Sequence, residues 1–385
     1  MFNNKTINKF QQLATPFYYY DLDVLKETLN SLLINSDDGN FKIHYALKAN
    51  ANNKILEIIS HKGLGADCVS GNEIKKAVET GFNPSDIVFA GVGKSDEEII
   101  TGINTGISYF NCESLQELQT INELGKGNNK IVNVALRINP NIDAKTHYYI
   151  TTGLEENKFG ISQNELNEIT NNFSNFNNLK FTGLHFHIGS QITDLEVFKS
   201  LCIRINELQR WFADRGLSFN HINVGGGLGV DYVNVNEKSL PDFKGYFNIF
   251  KELLEIHPEQ KVHFELGRAI VANCGSLISK VLYIKRGATI KFVILDAGMT
   301  ELIRPALYQS YHKIENLSSE ETEEIYDVVG PICESSDVFG KAASLPFTNR
   351  GDLIAIRSTG AYGETMSSSY NLRDKAEHYY SDEIE

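Results

Sequence analysis

Eight short apolar runs alternate with helical patterns between about residue 41 and residue 268, and this alternation restricts the fold more than any other feature of the chain. Helical spacing fills the intervals, as in NKILEIIS at 53 to 60 and SLQELQTINELG at 114 to 125. Strands that alternate with helices form parallel sheets, and eight such units predict a (β/α)8 barrel with its site at the C-terminal strand ends. The runs are IHYALKA, LGADCVS, DIVFAG, SYFNCES, IVNVALRINP, FTGLHFHIGS, HINVGGGLG and KVHFELGR.

The pattern changes after about residue 276, where strand-like runs follow one another without long helices. These runs are LISKVLYIKR, KFVILDAG, EEIYDVVGP and DLIAIRSTG, and they predict a separate β-sandwich or β-barrel domain. The segment PFYYYDLD at 16 to 23 also has strand character, and we expect it to join that domain. The predicted domains are a barrel over residues 24–275 and a β domain over residues 1–23 and 276–385.

Composition limits the possible partners of the chain. A formal net charge of -13 over 385 residues opposes binding to nucleic acid or to anionic membranes, so we expect a small-molecule ligand. The opening MFNNKTINKF lacks an apolar signal region, and no stretch approaches the roughly 18 apolar residues that span a bilayer. We therefore predict a cytoplasmic protein. The five cysteines are widely spaced without a C-x-x-C pair, which argues against a disulfide framework and against a zinc site.

Polar residues with distinct chemistry follow several of the predicted barrel strands. Lys48 ends the first run, and a partly desolvated lysine amine is a nucleophile toward carbonyls, which is Schiff-base chemistry. The glycines at 225 to 227 and 229 end the seventh run, where backbone N–H groups can approach a phosphate closely, although a plain tight turn has the same pattern. Glu265 and Arg268 end the eighth run. A lysine, a phosphate cradle and an acid together indicate pyridoxal phosphate, whose aldehyde, phosphate and ring nitrogen need different partners.

His185 and His187 at the end of the sixth run leave a second hypothesis open. Residues two apart on a strand point the same way and can bind a metal, as in a metal-dependent barrel hydrolase. That hypothesis needs more ligands at other strand ends and gives Lys48 no role. We therefore predict no metal.

The motifs of the chain resemble the diaminopimelate decarboxylase family, within the alanine-racemase-like fold-type III group of pyridoxal phosphate enzymes. The resemblance runs from about residue 16 to residue 373, and the order and spacing of its motifs make it specific. The motifs are HYALKAN at 44 to 50, HYYITTGLEENKFGI at 147 to 161, HFHIGSQI at 185 to 192, NVGGGLGVDY at 223 to 232, ELGRAIV at 265 to 271, IRPALYQSYHKI at 303 to 314, CESSDVFG at 333 to 340 and STGAYGETMSSSYN from 358 onward.

The resemblance implies a role for individual residues toward the cofactor. It implies that Lys48 carries the Schiff base, that His187 packs on the ring face and that Glu265 pairs with the pyridinium nitrogen. The phosphate would be held by Ser190, Gly227, the backbone of Gly267 and Arg268, and the Tyr362 hydroxyl. Leu266, in the same ELGR segment, would also belong to the cofactor-binding residues.

The resemblance also implies the substrate contacts and the assembly. Arg268, Arg304 and Tyr308, with Tyr362 nearby, would bind a distal carboxylate, and Glu334 would meet a distal ammonium. Cys333 would be the proton donor and would reach the site from the partner subunit of a homodimer.

Two positions depart from the family pattern. Leu266 stands where the family usually has proline, and we expect a small change in loop rigidity because proline contributes no side-chain chemistry there. Asn72 replaces a common glycine in the segment VSGNE.

The reaction that the resemblance implies is decarboxylation of meso-2,6-diaminoheptanedioate at its D-centre to L-lysine and carbon dioxide, the last step of lysine biosynthesis. The alternatives within the same fold are decarboxylation of ornithine, arginine or carboxynorspermidine, and racemisation. Arg304 and the CES sequence at 333 to 335 argue against ornithine and arginine, and Glu265 argues against a racemase. An alternative of another class is a regulatory relative that binds the cofactor without turnover.

Overall fold

The computed structural model describes residues 2–142 and 158–384, so residues 147–157 of the HYYITTGLEENKFGI motif lie outside the described residues. The chain divides into a barrel unit, Leu29–Gly229 with Asp242–Gly267, and a β unit, Met1–Thr28 with Val230–Pro241 and Arg268–Glu385. The domain boundaries at residues 24 and 275 stay a prediction. Across the described part of the chain, no helix combines the length and the apolar character needed to cross a bilayer.

The barrel unit is a closed barrel of eight strands in chain order, and neighbouring strands are parallel all the way round. With a separate, mostly antiparallel sheet in the other unit, it confirms the predicted fold class. The first strand of the chain, β1 (Phe17–Tyr20), belongs to the β unit. The barrel strands are β2 (Phe41–Ala46), β3 (Gly65–Cys68), β4 (Ile87–Phe89), β5 (Tyr109–Cys112), β6 (Val132–Arg137), β7 (Leu179–His185), β8 (His221–Asn223) and β9 (Lys261–Leu266).

Helices occupy the intervals that carry helical spacing in the sequence. The α-helices of the described residues are α1 (Asn4–Phe10), α2 (Leu22–Ser36), α3 (Asn53–His61), α4 (Gly71–Glu79), α5 (Asp96–Thr105), α6 (Leu115–Gly127), α7 (Gln163–Asn171), α8 (Glu196–Ala213), α9 (Phe243–Leu253), α10 (Arg268–Val271), α11 (Arg304–Tyr308) and α12 (Ser381–Ile384). Short 3₁₀ turns lie at Leu47–Ala49, Pro84–Asp86, Phe173–Asn175, Glu364–Met366 and Tyr370–Leu372.

Four consecutive helices of the barrel, α4 to α7, begin in the same way. Each follows a serine whose hydroxyl oxygen accepts a hydrogen bond from the backbone N–H of a glutamate three residues later, which satisfies one of the unpaired donors at the helix start. In α5 and α7 the glutamate side chain also returns to the serine backbone and completes a capping box. The pairs are Ser70 with Glu73, Ser95 with Glu98, Ser114 with Glu117 and Ser162 with Glu165.

The β unit contains an eight-stranded sheet in which β12, β15, β10, β11, β13 and β14 are neighbours in that order. β1 pairs with β10 antiparallel and with β16 parallel. The apolar runs predicted β10, β11, β13 and β15 but not β12, β14 or β16, since β14 carries small and exposed residues and β12 has only three. The strands are β10 (Gly275–Arg286), β11 (Lys291–Leu295), β12 (Ile314–Asn316), β13 (Glu323–Val329), β14 (Val338–Pro346), β15 (Leu353–Ile356) and β16 (Glu377–Tyr380).

Candidate active site

Lys48 lies just beyond the C-terminal end of β2, in the short 3₁₀ turn Leu47–Ala49. Its Nζ is 3.1 Å from Oδ2 of Asp67 on β3, and 40% of its side chain is exposed whereas Asp67 is fully buried. Burial and then the charge of Glu265 raise the pKa of Asp67 to about 7, and the charge of Lys48 opposes that rise. The Lys48 side chain is therefore partly exposed, and its amine is held by a buried carboxyl group.

The Glu265 carboxylate on β9 is buried and held by side chains from three other barrel strands, β5, β7 and β8. Oε1 accepts hydrogen bonds from Nδ2 of Asn223 at 2.7 Å and from Nδ2 of Asn111 at 3.1 Å. Oε2 accepts from Nε2 of His185 at 3.0 Å. Burial alone raises the pKa of Glu265, but the charge and hydrogen bond of His185, together with the charge of Lys48, hold it well below its usual range. A carboxylate has about four lone-pair sites, so Oε2 retains capacity for one more donor.

His187 differs from His185 in its hydrogen bonds. Its Nδ1 accepts from the backbone N–H of Gly226 at 3.2 Å, and burial, helped by the charges of Arg137 and Lys48, lowers its pKa to about 3. The imidazole is therefore neutral at physiological pH, with its proton on Nε2. One imidazole therefore bonds to a carboxylate and the other to a backbone amide.

The glycine run after β8 packs closely against the chain that follows β7. Gly225 has a φ of +74°, and a Cβ atom there would lie 2.3 Å from the carbonyl oxygen of Phe186. Gly227 has a φ of +105°, and its Cβ would lie 2.7 Å from the carbonyl oxygen of Gly189. Only glycine fits at these two positions. Ser190 follows Gly189 and is half-buried.

The β unit has its own cluster of basic and aromatic side chains. Nη1 of Arg268 donates a hydrogen bond to the Tyr232 hydroxyl at 2.8 Å, and the Arg268 guanidinium lies 4.9 Å from the centre of the Tyr362 ring. The Arg304 guanidinium lies 5.8 Å from the ring of Tyr232 and 5.9 Å from the ring of Tyr308. Both arginines are buried, so the cluster concentrates positive charge away from water.

The hydrogen bonds of Arg304 go to neutral groups. Its Nε donates to Nε2 of His312 and its Nη2 to Oγ of Ser310, both at 3.3 Å. Burial, followed by the charge of Arg304, lowers the pKa of His312 to about 3, so that imidazole carries no charge. Among residues 2–142 and 158–384, no carboxylate forms an ion pair with Arg304. A buried guanidinium in such a setting favours the binding of an anion.

Cys333 and Glu334 lie in the connection between β13 and β14, and both are exposed. The backbone N–H of Cys333 donates to Oδ1 of Asn371 at 3.4 Å, and the Glu334 carboxylate accepts from the Tyr370 hydroxyl at 2.8 Å. Asp337 fixes the connection by accepting hydrogen bonds from backbone N–H groups within and beside it.

Comparison with known proteins places the chain in a family. Residues 26–272 match the family described as pyridoxal-dependent decarboxylase, pyridoxal binding domain. A diaminopimelate decarboxylase from Bacteroides thetaiotaomicron is 58% identical over 381 residues, which cover 98% of this chain and 98% of that protein. The chain belongs to the diaminopimelate decarboxylase family. It is an enzyme of that family, and its cofactor is pyridoxal phosphate.

Other members of the diaminopimelate decarboxylase family agree in sequence and in structure. A relative from Helicobacter pylori is 42% identical over 97% of this chain and 92% of its own length. The crystal structure of diaminopimelate decarboxylase from Helicobacter pylori complexed with L-lysine has a TM-score of 0.89 at 41% identity, covering 97% of this chain and 93% of that chain.

The barrel residues fit the cofactor of the diaminopimelate decarboxylase family. Pyridoxal phosphate needs an amine, an anionic partner for its ring nitrogen and donors for its phosphate. The described residues offer the amine of the partly exposed Lys48 side chain, the remaining acceptor capacity of Glu265 and the backbone N–H of Gly227.

The structure locates most of the predicted site residues in two groups. At the C-terminal strand ends of the barrel lie Lys48, His187, Ser190, Gly227, Glu265, Leu266 and Gly267. In the β unit, Arg268, Arg304, Tyr308 and Tyr362 form the basic and aromatic cluster, whereas the hydrogen bonds of Cys333 and Glu334 go to Asn371 and Tyr370.

The two departures from the family pattern lie in regular structure. Leu266 is the buried last residue of β9, paired with Tyr45 of β2, so the strand continues through that position. Asn72 lies exposed in the first turn of α4.

Sequence reasoning missed several residues that form hydrogen bonds or ring contacts with the predicted site residues. It gave no role to Asp67, Asn111 and Asn223 in the barrel, or to Tyr232 and His312 in the β unit. Asp67, Asn111 and Asn223 occupy predicted strands close to their C-terminal ends, so a search of every strand end for polar side chains would have found them. Their partners depend on which strands are neighbours in space.

Proposed function

We propose that this chain decarboxylates meso-2,6-diaminoheptanedioate at its D-centre, giving L-lysine and carbon dioxide as the last step of lysine biosynthesis. The proposal is supported by the names of its relatives and by the L-lysine in the Helicobacter pylori structure. The observation that carries the decarboxylase chemistry is the Glu265 carboxylate, a buried anion with one acceptor position left.

Pyridoxal phosphate, when bound, supplies an aldehyde and an aromatic ring that accepts the electrons of the broken carbon–carbon bond. Lys48 is the residue that would bind it covalently. Asp67 holds the lysine Nζ at 3.1 Å, and its raised pKa lets this carboxyl group take up or release a proton near neutral pH.

Glu265 would keep the ring nitrogen protonated. Its three donors from the barrel fix the carboxylate plane, and they stabilise the anion against the cost of burial. An anion at this position strengthens the hydrogen bond from a protonated nitrogen and so favours loss of carbon dioxide.

The remaining cofactor contacts would be made by uncharged side chains and by backbone groups. His187, neutral and held through Nδ1, would present its flat ring to the cofactor ring. Ser190, Gly227 and the backbone of Gly267 and Arg268 would hold the phosphate, together with the Tyr362 hydroxyl.

Arg304 supports the assignment of the substrate. A buried guanidinium whose described hydrogen bonds go to neutral His312 and Ser310 is suited to the distal carboxylate of diaminoheptanedioate. Arg268, Tyr308 and Tyr362 would complete that contact, and Glu334 would bind the distal ammonium. A substrate without the distal carboxylate would leave the buried Arg304 guanidinium without an anion, which is the physical basis of selectivity for that group.

Cys333 would return the proton to the α-carbon from the partner subunit of a homodimer. Its exposure and its place in a fixed connection between two strands support a role at a subunit boundary.

The test of the reaction is carbon dioxide release by the cofactor-loaded protein on meso-diaminoheptanedioate, with ornithine, arginine, lysine and carboxynorspermidine assayed in parallel. We expect release on diaminoheptanedioate alone, with L-lysine formed. Release on another substrate would overturn the roles given to Arg304 and Glu334, and release on none would favour a non-catalytic relative.

The test of the shared site mixes two inactive variants, Lys48→Ala and Cys333→Ala. If the two residues of one site come from different subunits, half of the randomly mixed dimers contain one intact site, and activity returns to about a quarter of wild type. If both residues come from the same subunit, mixing restores nothing.

A further inference from the structure

The side chain of Asn223 is fully buried at the end of β8 and connects three other residues. Its Nδ2 donates one hydrogen bond to Oε1 of Glu265 at 2.7 Å and one to the Tyr109 hydroxyl at 3.1 Å. Its Oδ1 accepts from the backbone N–H of Gly225 at 2.9 Å. Both N–H groups and the carbonyl oxygen of the amide are therefore engaged.

The chemistry of the partners fixes the orientation of this amide. The backbone N–H of Gly225 can only donate, so it requires the amide oxygen on its side. The Glu265 carboxylate can only accept, so it requires the amide nitrogen on the other. A rotation of the Asn223 amide by half a turn would break both bonds at once.

Both polar backbone groups of Gly225 are hydrogen-bonded. Its N–H donates to Asn223 on β8, and its carbonyl oxygen accepts from the backbone N–H of Glu265 on β9 at 2.8 Å. With a left-handed φ and no room for a Cβ, this glycine sets the path of the run that follows.

We propose that Asn223 is a positioning residue that couples the glycine run to Glu265. It fixes the spacing between the part of the site that holds the phosphate and the part that pairs with the ring nitrogen. This inference rests on the cofactor contacts given under the proposed function.

Asn111 provides a matched comparison in the same cluster. Its Nδ2 donates to the same Oε1 atom of Glu265, at 3.1 Å, but none of its described hydrogen bonds reaches the glycine run. Removing either amide weakens the support of Glu265, whereas only removal of Asn223 also releases Gly225.

The experiment measures the dissociation constants of pyridoxal phosphate and of pyridoxal, by absorbance titration of the full-length protein after removal of its cofactor. The dissociation constant of pyridoxal divided by that of pyridoxal phosphate reports how much the phosphate contributes to binding. We expect Asn223→Leu to lower this ratio by about three- to tenfold, the usual value of one hydrogen bond, and Asn111→Leu to leave it unchanged. A general loss of packing would weaken both ligands alike and would not move the ratio.

Asn223→Asp distinguishes the hydrogen bond to Gly225 from the hydrogen bond to Glu265. This test is independent of whether the leucine variant folds. The aspartate retains an oxygen for the Gly225 N–H but sets its other oxygen against the Glu265 carboxylate. We expect a wild-type ratio with kcat lowered about tenfold or more. A lowered ratio in this variant, or equal ratios in both leucine variants, would overturn the proposal. If wild type binds pyridoxal phosphate but releases no carbon dioxide, the proposed function fails while the ratios still decide this inference.

Discussion

The Nζ atom of Lys48 lies 3.1 Å from Oδ2 of Asp67, and the two residues differ sharply in exposure. The Asp67 side chain is fully buried, whereas 40% of the Lys48 side chain is exposed. Because burial and the charge of Glu265 favour the protonated carboxyl group, the state of this pair depends on pH near neutrality.

Asp67→Asn should change how stability depends on pH. The folded pKa of Asp67, about 7, is raised above the ordinary 3.8, so the folded chain binds this proton more tightly than the unfolded chain does. The contribution of Asp67 to stability therefore falls as pH rises from about 4 to about 7. Relative to wild type, the variant should gain up to about 1.4 kcal/mol per pH unit in that window, measured by urea unfolding. Exposed Asp214→Asn is the control, and a pH-independent difference for Asp67→Asn would contradict the assignment.

Lys48→Ala should abolish the visible absorbance band of the covalently bound cofactor and lower kcat on the order of 10³-fold or more, because no other amine takes its place. Absorbance spectra and steady-state kinetics measure the two effects. Lys62→Ala, at an exposed lysine on the outside of the barrel, should leave both unchanged. A band that persists in Lys48→Ala would show that another residue binds the cofactor.

Arg304→Leu should lower kcat/KM for diaminoheptanedioate by about 10²-fold or more, since the distal carboxylate loses a buried guanidinium. Arg304→Lys should recover only part of that loss, because a lysine cannot form the two parallel hydrogen bonds of an arginine fork. Arg215→Leu, at an exposed arginine stacked on Trp211, is the matched control. Equal kinetics in the leucine and wild-type enzymes would remove Arg304 from the substrate site.

His221→Asn should reduce the sensitivity of the protein to acid. His221 is buried between the rings of Tyr109 and His263, and its Nε2 has no hydrogen-bond partner among the described residues. Burial, helped by the charges of His44 and His185, lowers its pKa to about 3.

The unfolded chain takes up the His221 proton near pH 6.5, and the folded chain does not until about pH 3. The contribution of this residue to stability is therefore present above pH 6.5 and is lost as pH falls toward 3. Urea unfolding at pH 5 and pH 7.5 should show the variant losing less stability on acidification than wild type. Exposed His61→Gln is the control, and equal losses in wild type and His221→Asn would refute the prediction.

The barrel itself was predictable, because short apolar runs and the helical period of 3.6 residues are local properties of the chain. Lys48, His187 and Glu265 could be predicted for the same reason: each lies close to the end of a recognisable strand, and parallel strands bring their C-terminal ends to one side. The short strands β12, β14 and β16 were missed, since few apolar residues mark them and their pairing partners stabilise them.

The sequence by itself determined the order of the barrel strands with the helices between them, the residue types available at the strand ends and the presence of the glycine run. Tertiary structure alone decided which side chains meet. Closure of the barrel brings Asp67 to Lys48, and it brings Asn111, Asn223 and His185 to Glu265, although up to 154 residues separate these partners along the chain. The pKa values of Asp67 and Glu265 depend on burial and on neighbouring charges, and both arise only when distant segments pack together.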